Sequence, residues 1–493
     1  MRGRLDRIDA AWVAGCGALY ATLVLPRLAS RAVWTDEAFT VGATRDLIGT
    51  WRHTGGTMAL YYLVVTPVVR LSDARFWLRL PSAVFAVATI AVLYLVARRI
   101  GSRFQAIVAS GLLAVTWSLG RWGVEARGYS LAMLLVAVAW LALVSAATES
   151  DDGARTRWWR LYGVAMVAAP LAHGLTALQF PVQVLALLLW PGRRQARTTL
   201  LVVGGALVVE GLGLFAVGAG EVASWIQPLS WRDAKKISRL MFGRGVSQWV
   251  VAAAVLAATV LVVAGFVRDR ADRRTITSGA ADARWSSTVA VLWAWGLPLT
   301  ILAISVVRPY QEARYLSSSL PAVALLVSSL VVRAPRRAAV GVFVVLAGLL
   351  ALDQPAVTTV AGENWPGLAH QVDAQAAAGD LVLSEALVRA PFDYAYHEMA
   401  DPTPLSPLSP TDPIGVTRRL YRAAPGTMRE RVLGASGHDI WWVARGQSQA
   451  GAVHRVLADP AVAARYDLAD HWRYNGALQL FHLTPKPGAR AGT

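Results

Sequence analysis

Long apolar runs separated by short basic turns dominate the first 352 residues. A helix needs about 20 mostly apolar residues to cross hydrocarbon. Such runs lie near 9–28, 76–97, 104–120, 128–147, 198–218, 248–267, 286–307, 315–332 and 337–352. The stretch 158–190 is too long for one span and short for two. Arg155, Arg157 and Arg160 precede it and Arg193, Arg194 and Arg197 follow it, which asks for both ends on one side. Two short spans turning at His173-Gly174 satisfy that, and the pattern predicts about eleven transmembrane helices.

After residue 352 the pattern changes. Val382-Leu383, after Gly379-Asp380, and Ile440-Trp441-Trp442-Val443-Ala444, after His438-Asp439, read as short buried strands. Leu368–Ala378 and Val453–Arg465 read as helices, and Pro402–Pro413 as a Pro/Ser/Thr-rich surface loop. The expectation is a polytopic α-helical membrane domain, 1–352, followed by a C-terminal α/β domain, 353–493. Residues 29–75 form the first extramembrane loop of the membrane domain. Within it Leu60-Tyr61-Tyr62-Leu63-Val64-Val65 is too short to span and suits the membrane interface.

Composition agrees with a membrane protein: 55% of residues are hydrophobic, 16% are charged and the mean hydropathy is +0.44. The net charge of +17 is uneven. Residues 1–352 hold 36 basic and 17 acidic residues, and residues 353–493 hold 12 and 14. The surplus therefore belongs to the membrane part, where anionic lipid is the partner, and no basic soluble face suggests nucleic acid. Cys16 is the single cysteine, so no disulfide forms within the chain.

Arginine clusters at Arg2/Arg4/Arg7, Arg98/Arg99/Arg103, both flanks of 158–190, Arg268/Arg270/Arg273/Arg274 and Arg333/Arg336/Arg337 fall on one side. That side is expected to be cytoplasmic, with the amino terminus inside and the C-terminal domain outside the cell. The segment 219–247, with Arg232, Lys235, Lys236, Arg239 and Arg244, runs against this rule, although long loops weigh little in it.

Candidate chemistry gathers on the outer side. Asp36 and Glu37 follow Thr35, a plausible N-cap, and fall in the first turn of a helix expected over Asp36–Leu47. Acidic first turns are common in their own right. What adds weight is a set of cations on the same side, where arginine needs a reason. Arg121 and Arg127 share one short turn with Glu125 and Tyr129; Arg308 and Arg314 share another with Glu312 and Tyr315. Local salt bridges would explain them, and so would a lipid phosphate, which guanidinium binds in bidentate fashion. Glu210 lies inside an apolar span, where an acid normally faces a polar cavity. His173 and Gln179 sit at the turn between spans five and six, and His53 sits in the first extramembrane loop. No dinucleotide fingerprint, Walker loop or zinc-ligand spacing occurs.

Four segments carry a resemblance, in order: Trp34-Thr-Asp-Glu37, Leu78-Arg-Leu-Pro-Ser-Ala83, Glu125-Ala-Arg-Gly-Tyr-Ser-Leu131, and Arg314-Tyr-Leu with Pro321 beyond it. Over about residues 9–350 the chain resembles the GT-C superfamily of membrane glycosyltransferases, in the branch of protein O-mannosyltransferases and aminoarabinose transferases (glycosyltransferase family 39-like). Related sequences carry His-Pro-Pro ahead of the Leu-Tyr-Tyr segment; here it reads His53-Thr-Gly-Gly-Thr-Met-Ala-Leu-Tyr-Tyr62, without the prolines.

The resemblance implies transfer of mannose or another hexose or pentose from a polyprenyl-phosphate donor to an acceptor hydroxyl. The acceptor would be a cell-envelope glycan, lipid or protein at the outer face of a bacterial plasma membrane. It implies Asp36 as base and Glu37 as a supporting carboxylate or a ligand for a divalent metal. Arg127, Arg308 and Arg314 would form the phosphate clamp, with Arg121, Glu125, Tyr129, Tyr315, His53, Tyr61 and Tyr62 as candidates for support. The rival reading is a transporter or flippase of lipid-linked glycans. That class typically shows internal repeats with helices broken at corresponding positions, which this sequence lacks.

Overall fold

A computed structural model of the chain describes residues 6–45, 47–49, 57–190, 197–216, 226, 228–271, 278–355, 362–384, 386–407, 427–435, 437–475 and 477–487. His53, Glu385 and residues 408–413 of the loop Pro402–Pro413 lie outside these residues. Packing divides the chain into two compact units. The first comprises Met1–Leu28, Gly55–Tyr61 and Arg79–Val357; the second comprises Ala29–Thr54, Tyr62–Leu78 and Thr358–Thr493.

The helices, in chain order, begin with α1 (Arg7–Val24), α2 (Thr35–Arg45), α3 (Ala59–Leu71), α4 (Arg75–Ile100), α5 (Arg103–Val115), α6 (Trp117–Gly123), α7 (Tyr129–Thr148) and α8 (Asp152–Ala172). They continue with α9 (Gln179–Leu188), α10 (Arg197–Ala216), α11 (Trp231–Phe242), α12 (Gly245–Ala271), α13 (Ser278–Ser305), α14 (Leu320–Val331) and α15 (Arg336–Leu352). Among the described residues, seven helical stretches are long and apolar enough to cross a bilayer. This is a multi-pass membrane protein.

In the first unit the apolar runs become helices, with breaks that hydrophobicity alone conceals. The run 104–120 is two helices, α5 and α6, because Thr116 is extended and its hydroxyl bonds back to the Leu112 carbonyl at 2.8 Å. The run 315–332 opens as a 3-10 segment, Ala313–Ser319, before α14. The stretch 158–190 does divide at His173: α8 ends there, a 3-10 turn covers Gly174–Leu178, and α9 follows.

Two residues of the Leu78–Ala83 motif serve this packing. Arg79 is fully buried and donates to the Leu28 carbonyl at 2.7 Å, satisfying backbone just past the end of α1. Ser82 lies 2.9 Å from the Tyr61 hydroxyl, and both are buried. Tyr61 therefore acts within the helix packing rather than at an exposed interface.

The second unit is built on a five-stranded sheet. Its elements are α16 (Trp365–Gln375), β1 (Leu381–Ser384), α17 (Ala386–His397), β2 (Ser406–Pro407), α18 (Met428–Gly434), β3 (Ile440–Arg445), α19 (Gly446–Leu457), α20 (Pro460–Ala463), β4 (Tyr466–Tyr474) and β5 (Leu478–Pro485). The strand order is β2-β1-β3-β5-β4, with β1 parallel to both β2 and β3 and with β5 antiparallel to both β3 and β4.

Successive side chains on a strand point to opposite faces, so neighbouring Trp441 and Trp442 anchor two separate cores. Trp441 packs with Trp365, Leu368, Val388 and Phe392; Trp442 packs with Val432, Val453, Val462 and Phe481. Helices cover both faces, which explains the continuous apolar run of β3. The helix expected over Val453–Arg465 is in fact the end of α19 and the short α20. Helix α17 and the β4–β5 hairpin have no counterpart in the sequence reading.

Segments 29–54 and 62–78 pack with this domain. Helix α2 lies against α17. Arg75 grips Glu398 with two bonds, Nε to Oε1 at 2.7 Å and Nη2 to Oε2 at 2.5 Å, and the Tyr394 hydroxyl donates to the Asp73 carbonyl at 2.8 Å.

Candidate active site

The acidic pair sits at the start of α2 in the second unit. The Trp34 carbonyl accepts the first helical bonds, from the Glu37 and Ala38 N–H groups, both at 3.0 Å. Trp34 therefore occupies the cap position and Thr35 is the first helical residue, not the cap that the sequence suggested. Glu37 is then the third residue of the helix. Its carboxylate reaches back to the Trp34 N–H at 3.4 Å, the return arm of a capping box. Glu37 is fully buried and lies 3.7 Å from the Arg31 guanidinium. Asp36, one residue earlier, is half-buried.

A third carboxylate joins this turn, one that the sequence did not single out. Glu363 lies just ahead of α16 and is 8% exposed. Its Oε2 accepts from the Thr35 N–H at 2.9 Å, the Thr35 hydroxyl at 2.6 Å and the Trp365 indole at 2.7 Å. Its Oε1 meets Arg445 at 2.6 Å. The sequence near Glu363 does not signal this, because apart from Trp365 its partners, Thr35 and Arg445, lie on segments far apart along the chain.

The arginine turns belong to the first unit. Gly120–Tyr129 folds tightly: the Arg127 N–H bonds the Glu125 carbonyl at 2.8 Å, and Arg121 pairs with fully buried Glu125 at 2.6 Å. This pair fulfils the local salt-bridge reading, so Arg121 and Glu125 brace the turn. Gly128 comes so near the end of α8 that an added Cβ would lie 2.3 Å from the Ala172 carbonyl. Only glycine fits there, and the contact holds the Arg127 turn against His173.

His173 is buried, with its ring 5.5 Å from the Tyr129 ring and 4.9 Å from that of Tyr315. Burial, then the nearby charges of Arg127 and Arg314, push this imidazole down to about 3, so it is neutral at ordinary pH. Because Tyr129, two residues after Arg127, and Tyr315, next to Arg314, both pack on the His173 ring, the two arginine turns, almost 190 residues apart, meet in one neighbourhood. Arg314 also stacks over Tyr315 at 5.8 Å and lies 4.0 Å from Glu312. Arg308 is exposed and covers the Tyr310 ring at 5.7 Å.

Other candidates fall elsewhere. Gln179 is buried at the start of α9, and Tyr62 is buried in α3, where its carbonyl accepts from Thr66 at 2.6 Å. Glu210 is half-buried in α10, and its carboxylate oxygens have no hydrogen-bond partner among the described residues. Among the described residues, no group of three or more His, Cys, Asp or Glu is placed to hold a metal ion.

Comparison with known proteins extends this geometry. Residues 58–214 match the family model described as dolichyl-phosphate-mannose-protein mannosyltransferase. The apo structure of ArnT from Cupriavidus metallidurans is similar over 99% of this chain and 100% of its own, with 13% identity and a TM-score of 0.58. This chain has the GT-C fold. ArnT from the same organism bound to undecaprenyl phosphate gives a TM-score of 0.53 at 13% identity, covering 98% of this chain and 99% of that one. The oligosaccharyltransferase of Archaeoglobus fulgidus, in complex with zinc and sulfate, gives 0.56 at 10% identity, covering 95% of this chain and 72% of that one. No curated protein matches by sequence. In this GT-C fold the family model spans α3 to α10 and includes the Arg79, Arg127 and His173 positions.

Proposed function

We propose that this protein moves a sugar from a polyprenyl-phosphate carrier to an acceptor hydroxyl at the outer face of a bacterial plasma membrane, inverting the anomeric centre. The observation that carries the reading is the Arg127–Arg314 neighbourhood around His173. Two cations held beside a neutral imidazole and two tyrosines are suited to an anion, and a lipid phosphate is the anion a membrane enzyme of this fold meets. The ArnT structure with undecaprenyl phosphate supports that choice of ligand class.

The chemistry follows from the leaving group. A polyprenyl monophosphate departs as a stable anion, so no acid is needed to protonate it. Asp36 takes the proton of the acceptor hydroxyl as the oxygen bonds to the anomeric carbon. The bond from that carbon to the phosphate oxygen breaks, and its electron pair leaves with the phosphate. Arg127 and Arg314, with Arg308, stabilise the charge growing there. Glu37 is fully buried, bound to the cap and facing Arg31, whereas Asp36 is half-buried and open to solvent, which suits it better to the base role. His173 stays uncharged and shapes the arginine site. The C-terminal domain bears on acceptor choice.

The test is transfer of radiolabel from a panel of polyprenyl-phosphate sugars into membrane extracts. Asp36→Asn keeps the shape of the side chain and removes the base, a loss of about 10²–10⁴ in rate. Near-normal transfer by a well-folded Asp36→Asn protein would sink the mechanism. Glu210, an intramembrane acid, is the feature that favours the transporter reading, and label that crosses the bilayer without joining an acceptor would select it.

A further inference from the structure

Helix α2 carries Asp36 in its first turn, where the free N–H groups are usually satisfied from the neighbouring sequence. Here the ordinary local device is only half present. Glu37 supplies the return arm of a capping box, but Trp34 at the cap has no side-chain acceptor to offer. The missing acceptor comes from 328 residues away: Glu363 takes both the Thr35 N–H and the Thr35 hydroxyl on one oxygen. A carboxylate at a helix N-terminus also suits the helix dipole.

Glu363 is itself locked. It is 8% exposed, and Trp365 and Arg445 hold it from the first residue of α16 and the last of β3. A buried carboxylate is costly unless its acceptor sites are filled. This one receives three hydrogen bonds and a guanidinium, and its Trp365 donor belongs to the domain core.

We propose that Glu363 is a positioning residue for the reaction: it fixes the first turn of α2 and thereby the direction of the Asp36 carboxylate. The inference rests on the reading of Asp36 as the base. Under it, the C-terminal domain sets the rate of transfer as well as the choice of acceptor, without touching the reacting atoms.

The experiment uses the full-length protein in detergent or nanodiscs, with a polyprenyl-phosphate sugar that supports transfer. Thr35→Val removes the hydroxyl donor and leaves Glu363 in place; Glu363→Gln weakens the acceptor while keeping its shape. Each should lower kcat by about 10-fold or more with little change in KM for donor or acceptor, since small misplacements of a reacting group can cost as much as about 10²-fold. Glu363→Asp should recover part of the loss. The double variant should cost no more than the worse single one, because both break one interaction.

Lower thermal stability with kcat unchanged in the folded variants would overturn the proposal and leave Glu363 a purely structural tie. If Glu363→Gln does not fold, Thr35→Val decides alone. Asp36→Asn, run alongside, separates the two failures. An inactive Asp36→Asn with fully active Thr35→Val and Glu363→Gln rejects the positioning role only, whereas an active Asp36→Asn rejects the base on which it rests.

Discussion

Asp36 and Glu37 are neighbours of the same chemistry, and their surroundings give them different work. Glu37 is buried, capping the Trp34 N–H and facing Arg31, while Asp36 keeps access to solvent. The arginines divide similarly. Arg121 is spent on buried Glu125, whereas Arg127 and Arg314 share the surroundings of His173. Arg127→Ala or Arg314→Ala should therefore act on the donor. Losing a charge-assisted bond to phosphate costs about 1.5–3 kcal/mol, or roughly 10- to 100-fold in affinity. Titrating donor at saturating acceptor checks this; a change confined to acceptor saturation would remove these residues from the clamp. The acids and arginines were legible because each set lies within a few residues of sequence. Glu363 was not, since the bonds that define it link distant segments and nothing local distinguishes it from any surface glutamate.

Helices were legible as apolar runs, but their breaks were not. Thr116 and the 3-10 turn Ala313–Ser319 interrupt runs whose hydrophobicity continues unchanged, because backbone direction there is set by hydrogen bonds rather than by burial. In the α/β domain the two-sided core of β3 showed as a continuous apolar run. Strand β4, Tyr-Asp-Leu-Ala-Asp-His-Trp-Arg-Tyr, lies at the sheet edge with most residues exposed, so it carries no apolar pattern to find. One element-scale prediction concerns the Gly120–Tyr129 turn. Gly128→Ala would drive a methyl against the Ala172 carbonyl of α8, and overpacking of this kind costs about 1–3 kcal/mol. The expected result is a melting temperature lowered by several degrees in detergent, together with weaker donor binding as Arg127 shifts; unchanged values for both would mean that the turn is not held by this contact.

At the scale of the molecule, the GT-C fold is joined to a domain that takes in the sequence around α2. That arrangement was only partly legible. The change of pattern after residue 352 announced a separate domain, but nothing in 29–75 revealed that Asp73, Arg75 and Thr35 bond to its residues. Under the proposed function, the domain's polar groups away from Glu363 are expected to bear on acceptor recognition. Asp393, paired with Arg389 at 2.9 Å and pushed above the usual carboxylate range by burial, and exposed His397 lie on α17. Asp393→Asn and His397→Ala should alter acceptor preference or apparent acceptor affinity and leave donor KM unchanged. Total loss of transfer in either folded variant would relocate the chemistry into this domain.

The Thr35–Glu363 bond also has a consequence in time. The ribosome finishes α2 long before it reaches residue 363, and at about 5–20 residues per second the interval is on the order of half a minute. Throughout that interval the first turn of α2 lacks its distant acceptor. A nascent or prematurely ended chain can therefore insert its early helices into the bilayer with the first turn of α2 unfinished, and that turn is completed only when the C-terminal domain folds.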